Sequence, residues 1–401
     1  MINSTIVLAY SGGLDTSYCI KYLQSIGGYQ VHAVYVNTGG LTQQQAIELE
    51  EKAYALGAVQ FQLIEARTDF YDKCLKYLIY GNILRNHNYP LSVSAERSFQ
   101  ALKVLEYAQQ IGATKIAHGS TAAGNDQVRF DLAFNILDTQ IEIITPIRDQ
   151  SLSRTQEVEF LQAHGIDWPW EKAQYSVNKG LWGTTVGGSE TLSSHQTLPE
   201  HAFPDSISAQ QTALLEIGFQ NGEIQTVNGQ QFDRALKAIE AVEAFAAPYG
   251  IGRDYHTGDT VIGIKGRVGF QASAPKLIID AHRLLEKHTL GKWQAYWKDQ
   301  LANWYGMMLH EGQYLDPVMR DIEVFLANAQ DQVNGTVCLK LFPYRFETVG
   351  VQSEKDLMQA KFGKYGEENL GWTGVEVRGF TKILSNAQKI FYSVNPEKIP
   401  L

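Results

Sequence analysis

The chain has 401 residues, 44% hydrophobic and 19% charged, with a formal net charge of −9, enough apolar length for two cores. With no run of Lys and Arg to form a basic patch, this balance excludes sequence-independent binding of nucleic acid. Three widely spaced cysteines without a CxxC or Cys/His cluster exclude a disulfide framework and a zinc site, and point to a reducing cytoplasm.

The N-terminal "MINSTIVLAY" has no basic segment ahead of a long apolar run and does not read as a signal or transit peptide. No apolar stretch reaches the 18 residues that would suggest a membrane span. Short β-branched runs at 5–10, 31–36, 59–64, 114–119 and 141–147 are nearly continuously apolar, as in strands buried on both faces. Between the first two, Cys19, Tyr22, Leu23 and Ile26 follow helical spacing up to Gly27-Gly28. Phe99, Leu102, Leu105 and Ile111 lie in a second helix that ends at Gly112. Ser153 and Gln156 predict a capping box at the start of a third. Strand and helix in alternation predict an α/β fold with a doubly wound parallel sheet over 1–166.

From residue 167 the texture shifts to Gly, Trp and longer loops. A helix is expected within 233–252, strands within 260–271 and 336–351, and a terminal helix over 376–394. These define an α+β second domain at 167–365 and a C-terminal helical arm at 366–401.

The stretch "YSGGLDTS" (10–17) stops a strand on two glycines and opens a helix with three hydroxyls nearby. Glycines allow positive φ and close backbone approach, while the amides and the helix N-terminus suit a phosphate. The pattern is neither GxxxxGK[ST] nor GxGxxG. It resembles the pyrophosphate loop of enzymes that adenylate an oxygen and release pyrophosphate. A second strand-end loop, "HGSTAAGNDQVRF" (118–130), sets Asp126 and Arg129 three apart, one anion and one cation suited to an amino acid.

Together 9–17 and 119–130 closely resemble the two signatures of the argininosuccinate synthase family, the second of which reads GxTxKGNDxxRF. The likeness continues through "YPLSVSAER" (89–97), "YSVNKGLWG" (175–183), "GIGRDYHTGDTVIGIKGR" (250–267) and "VNGTVCLKLF" (333–342). The resemblance implies an ATP-driven ligase of arginine biosynthesis. Citrulline is adenylated, and the amine of L-aspartate displaces AMP to give argininosuccinate.

It assigns ATP to Ala9, Tyr10, Ser11, Gly12, Gly13, Leu14, Asp15, Thr16, Ser17, Val36 and Gly119. Aspartate falls to Thr121, Asn125 and Asp126. Citrulline falls to Tyr89, Ser94, Asn125, Arg129, Ser176, Thr185, Gly258 and Phe270, with Asp15, Asn125 and Asp126 expected to be catalytic. Arg97 reads equally as a substrate residue or as a structural ion-pair partner. ATP is expected with Mg²⁺, whose ligands the resemblance leaves open. The implied assembly is a cytoplasmic homotetramer linked by the arm, with no nucleic-acid or membrane partner.

Four positions depart from the family. Ala123 replaces a lysine, Thr185 standing meanwhile where Ser is usual. Phe270 replaces a citrulline-contacting tyrosine, and Gly258 a citrulline-contacting glutamate, unless a slip of one residue offers Asp259. A lost carboxylate removes roughly 1.5–3 kcal/mol of pairing with a substrate ammonium. Two expectations stand side by side: an N-acylated citrulline, with Gly258 and Phe270 forming a smaller, less polar wall, or free citrulline with a neighbouring residue compensating for the lost carboxylate. The rival readings are a tRNA-thiolating enzyme, which would need RNA-binding basic surface and catalytic cysteines, and a non-catalytic ATP-binding regulator.

Overall fold

A computed structural model describes residues 4–169 and 175–400. The first five strands are β1 (Thr5–Ala9), β2 (Gln30–Asn37), β3 (Gln60–Glu65), β4 (Lys115–His118) and β5 (Glu142–Ile144). They form one parallel sheet in the order β3-β2-β1-β4-β5. Period-2 alternation sends Ile6 and Leu8 of β1 to one face and Val7 to the other. Ile6 and Leu8 pack with Ile20 and Leu23 of helix α1 (Leu14–Ser25), whereas Val7 joins Phe99, Val104 and Leu105 of the helix Ser94–Gln110. Helices on both faces bury this sheet, as its apolar strands require.

The stripe expected on α1 is shifted. Cys19, Ile20 and Leu23 are buried but Ile26 is 61% exposed, because α1 stops at Ser25 and Ile26 is its C-cap. Helix α2 (Gln43–Leu56) opens on a capping box between Thr42 and Gln45 and ends on Gly57 at φ +105°. The helix Arg154–Ala163 carries the expected capping box between Ser153 and Gln156.

Beyond residue 175, the strands Arg253–Asp259, Lys265–Gln271, Gly183–Gly187 and Ser176–Gly180 form an antiparallel sheet in that order. A second antiparallel sheet runs Gln230–Gln231, Glu223–Val227, Ala213–Gln220, Gly335–Phe342 and Arg345–Gln352. The strand expected over 260–271 begins only at Lys265. Residues 260–264 are a turn closed by the Thr260 N–H and hydroxyl on the Ile264 carbonyl, both at 2.8 Å. The helix expected within 233–252 spans Ala235–Ala246. Three long helices, Ser273–Thr289, Lys292–His310 and Pro317–Asn328, had no counterpart in the sequence reading.

Compactness divides the chain into Met1–Lys355 and Asp356–Leu401. The second unit holds a two-residue strand pair and two helices, Gly374–Leu384 and Asn386–Val394, where one helix over 376–394 was expected. Phe380, Ile383, Ile390 and Val394 of these helices are all exposed. No helix among the described residues is long and apolar enough to cross a membrane.

Candidate active site

A cavity of about 1120 Å³ opens at the carboxyl ends of β1, β2 and β4. The strand order reverses between β1 and β4, where open parallel sheets leave a crevice. Ala9 to Thr16, Val36 and Gly119 all line it. Gly12 takes φ +77°, and Gly13 enters α1 in an extended conformation. A β-carbon on Gly12 would lie 2.1 Å from Leu49 Cδ2, and one on Gly119 would lie 3.2 Å from the Asp15 carbonyl carbon. Both glycines are therefore sites of close approach.

Within the loop, the Ser11 N–H donates to Thr16 Oγ1 (3.3 Å) and the two hydroxyl oxygens lie 3.2 Å apart. These cross-ties hold the turn in shape. Ser17, expected to bind ATP, is wholly buried, does not line the cavity, and donates its N–H to the Gly13 carbonyl (3.0 Å). One turn into α1, it faces the core rather than the crevice. Asp15 lines the cavity and sits beside Glu157, whose carboxyl is buried; burial and the Asp15 charge push Glu157 above the usual carboxylate range.

The second loop is built around an ion-pair cluster. Asp126 accepts from Arg129 Nη1 (2.8 Å) and Arg97 Nε (3.0 Å). Arg97 also donates to Asn178 Oδ1 (3.0 Å) and Gln100 Oε1 (2.8 Å). It is thus an ion-pair partner that also lines the cavity. Arg129 is buried and donates through Nε and Nη2 to the His310 carbonyl, at 3.0 and 2.7 Å. The anion and cation expected to face a substrate separately are paired to each other. Burial pushes Asp126 up, but Arg97 and Arg129 outweigh it and hold the carboxyl below its usual range. Asn125 Oδ1 accepts from the Val261 N–H (2.9 Å), joining this loop to the turn at 260–264. His118, at the end of β4, accepts from the Ser120 N–H through Nδ1 and places Nε2 2.9 Å from Asp131.

The remaining wall comes from the antiparallel sheet and from the approach to the helix Ser94–Gln110. Thr121, Tyr89, Ser94, Ser176, Thr185 and Gly258 line the cavity, but Phe270 does not. Its register partners, Thr185 and Asp254, put Phe270 on the cavity-facing side. Its ring is nevertheless 2% exposed, sealed behind Tyr89 at a centroid distance of 5.3 Å. Tyr89 thus forms the surface here and Phe270 backs it.

Gly258 also differs from expectation, because the room next to it is filled. A β-carbon there would lie 2.9 Å from His256 Nε2 and 3.2 Å from Asn86 Nδ2. His256 stacks on Tyr89 at 4.8 Å, and burial, reinforced by the Arg85 charge, lowers its pKa to about 4, so the ring is neutral near pH 7. Asp259, the alternative carboxylate, lies opposite Lys265 and pairs with it at 2.5 Å.

Lys52, Glu96, Lys179, His256 and His310 line the cavity without having been singled out in the sequence. Each arrives from an element distant from the two loops; Glu96, Lys179 and His256 sit within the family-like stretches 89–97, 175–183 and 250–267, whereas Lys52 and His310 lie outside them. Glu96 accepts from Thr38 Oγ1 (2.9 Å) and is buried with Oε1 against Gly180, where a β-carbon would collide with it. Burial raises its pKa to about 8, against weaker opposing effects of Arg97 and the Thr38 hydroxyl. A folded-state pKa above the unfolded value means that the native state binds the extra proton, so this group's contribution to stability falls as pH rises from about 4.5 to about 8. Glu96→Gln removes that dependence. Urea unfolding should find the variant's stability relative to the parent rising between pH 5 and pH 8.

Comparison with known proteins agrees with this layout. Residues 5–167 match the argininosuccinate synthase N-terminal HUP domain, and residues 175–391 match the argininosuccinate synthase C-terminal domain. An argininosuccinate synthase of Methanocaldococcus jannaschii is 33% identical over 367 residues, covering 91% of this chain and 92% of its own. One of Xanthomonas campestris pv. campestris is 34% identical over 403 aligned residues, covering 98% and 100%. One of Pyrococcus furiosus is 34% identical over 390 residues, covering 95% and 94%. Two domain matches spanning most of the chain, set on a parallel-sheet crevice that joins both signature loops, place this chain in the argininosuccinate synthase family of carbon–nitrogen ligases.

Proposed function

We propose that the chain condenses citrulline with L-aspartate at the expense of ATP, through a citrullyl-adenylate, to give argininosuccinate, AMP and pyrophosphate. The observation that carries this reading is a single cavity onto which the loop 11–16, the loop 119–129 and the sheet residues Ser176, Thr185 and Gly258 all open. The loop amides and the N-terminus of α1 hold the phosphates. The ureido oxygen attacks the α-phosphorus as the bond to the β-phosphate oxygen breaks, with the electron pair leaving on pyrophosphate. The aspartate amine then attacks the ureido carbon, and AMP departs with the oxygen. Positioning and charge stabilisation supply most of the rate.

Asn125 has its oxygen engaged by Val261, so its NH₂ serves the amino-acid substrates. The Asp126–Arg97–Arg129 cluster fixes the loop that carries it. Magnesium suits this site as a counter-ion of the polyphosphate, with Asp15 the nearby carboxylate. Among the described residues no group of three or more His, Cys, Asp or Glu could hold a metal alone. The domain division at 166 and 366, a homotetramer assembled through the exposed apolar arm, and a cytoplasmic location belong to the same reading.

A second reading concerns the substrate's α-nitrogen. The family glutamate is absent at Gly258 and the adjoining His256 is neutral, so neither offers a charge to an ammonium, which supports an uncharged, N-acylated nitrogen. Pyrophosphate–ATP exchange dependent on citrulline, N-acetylcitrulline or N-succinylcitrulline tests both readings. The ligase reading requires exchange with at least one of them and steady AMP release once aspartate is added. A clear preference for free citrulline removes the N-acyl reading.

A further inference from the structure

The face of α2 nearest the glycine loop carries two residues three apart, Leu49 and Lys52, which meet the loop at the same place. Leu49 packs against Gly12, and Lys52 Nζ donates to the Gly12 carbonyl at 2.5 Å. Nζ also lies 5.0 Å from the centroid of Trp168, within cation–π range. Lys52 and Trp168 both line the cavity alongside Ala9 to Thr16.

This arrangement orients a peptide group as well as placing a charge. In a trans peptide the C=O and N–H point in opposite directions. With its carbonyl on Lys52, the Gly12–Gly13 peptide turns its N–H the other way, where Ser11 Oγ lies at 3.4 Å. The ammonium sits on the carbonyl side of this peptide and lines the same cavity as the loop.

We propose that Lys52 is a phosphate-binding residue of this site, contacting the β- and γ-phosphates of ATP and the pyrophosphate formed from them. No bond is made or broken at Lys52; its positive charge meets the negative charge that accumulates on the departing group. Burial holds its pKa down at about 8. The inference rests on the reading of the loop as a polyphosphate cradle. It adds a cationic contact, delivered from α2, to the backbone amides.

Calorimetric binding of ATP, pyrophosphate and AMP to the full chain and to its Lys52→Met and Lys52→Arg variants tests it, with thermal unfolding to verify that each variant folds. Methionine keeps the stem and loses the charge. Lys52→Met should weaken ATP and pyrophosphate by about 10- to 100-fold, the scale of one charge-assisted hydrogen bond. AMP should change less than twofold, and Lys52→Arg should recover most of the lost affinity. Equal weakening of AMP would show that Lys52 only braces the loop, and unchanged pyrophosphate affinity would overturn the proposal outright. If the parent binds pyrophosphate but forms none from any citrulline, the reaction is misassigned while the contrast between variants still decides the role of Lys52.

Discussion

Asp126→Ala is expected to reduce turnover by about 10²-fold or more and to cost about 1–3 kcal/mol of stability. Asp126 is the shared acceptor for Arg97 and Arg129, and Arg129 is 4% exposed. Removing the carboxylate leaves two guanidinium groups close together with one anion fewer. Charge-assisted hydrogen bonds are worth roughly 1.5–3 kcal/mol each, but the Asp126 side chain is 39% exposed and water recovers part of the loss. The catalytic effect is larger because the cluster sets the position of Asn125 and joins this loop to the Asn178 strand. A misplacement of about 1 Å in a reacting geometry costs on the order of 10²-fold. Steady-state AMP release and urea unfolding measure the two effects. Asp126→Asn preserves the shape without the charge, and should retain more stability than Asp126→Ala while remaining slow. A fully active Asp126→Ala enzyme would exclude the cluster from the mechanism.

Gly39→Ala should be the most damaging single methyl in the molecule's first unit, costing about 3 kcal/mol or more. Gly39 follows β2 at φ +130°, a region essentially restricted to glycine, where strain costs about 1–3 kcal/mol. The new β-carbon would also lie 2.4 Å from the Leu181 backbone nitrogen. Backbone cannot swing aside as a side-chain tip can, so the steric term adds to the strain. Gly28→Ala is the control. It has φ +65° with nothing within 4 Å of the added carbon, so only the left-handed backbone cost of about 1–2 kcal/mol applies. Urea unfolding of both variants should separate them clearly; equal costs would mean that the loop after β2 yields.

What could be read from the sequence was what is contiguous along the chain. The loop 11–16 declared itself because strand, glycines, hydroxyls and helix follow one another without interruption. The Ser153–Gln156 capping box was legible for the same reason. Ser17 lies off the crevice because membership of the motif does not say which way the first helical turn points. Phe270 lies behind the cavity wall because its strand register is right for the cavity while Tyr89, from 181 positions away in the chain, covers it. The helix Lys292–His310 went unseen partly because its tryptophans do not trace its buried face. Trp293, Trp297 and Trp304 are exposed, whereas Ala302, Tyr305 and Leu309 are buried. The helix Ser273–Thr289 opens after Ala272 with no side-chain cap to mark its start.

The closeness of His256 to Gly258 couples the two positions. A β-carbon at 258 would lie 2.9 Å from Nε2, so a larger residue enters there only as the imidazole shifts. Any carboxylate placed at 258 therefore also resets the ring that stacks on Tyr89.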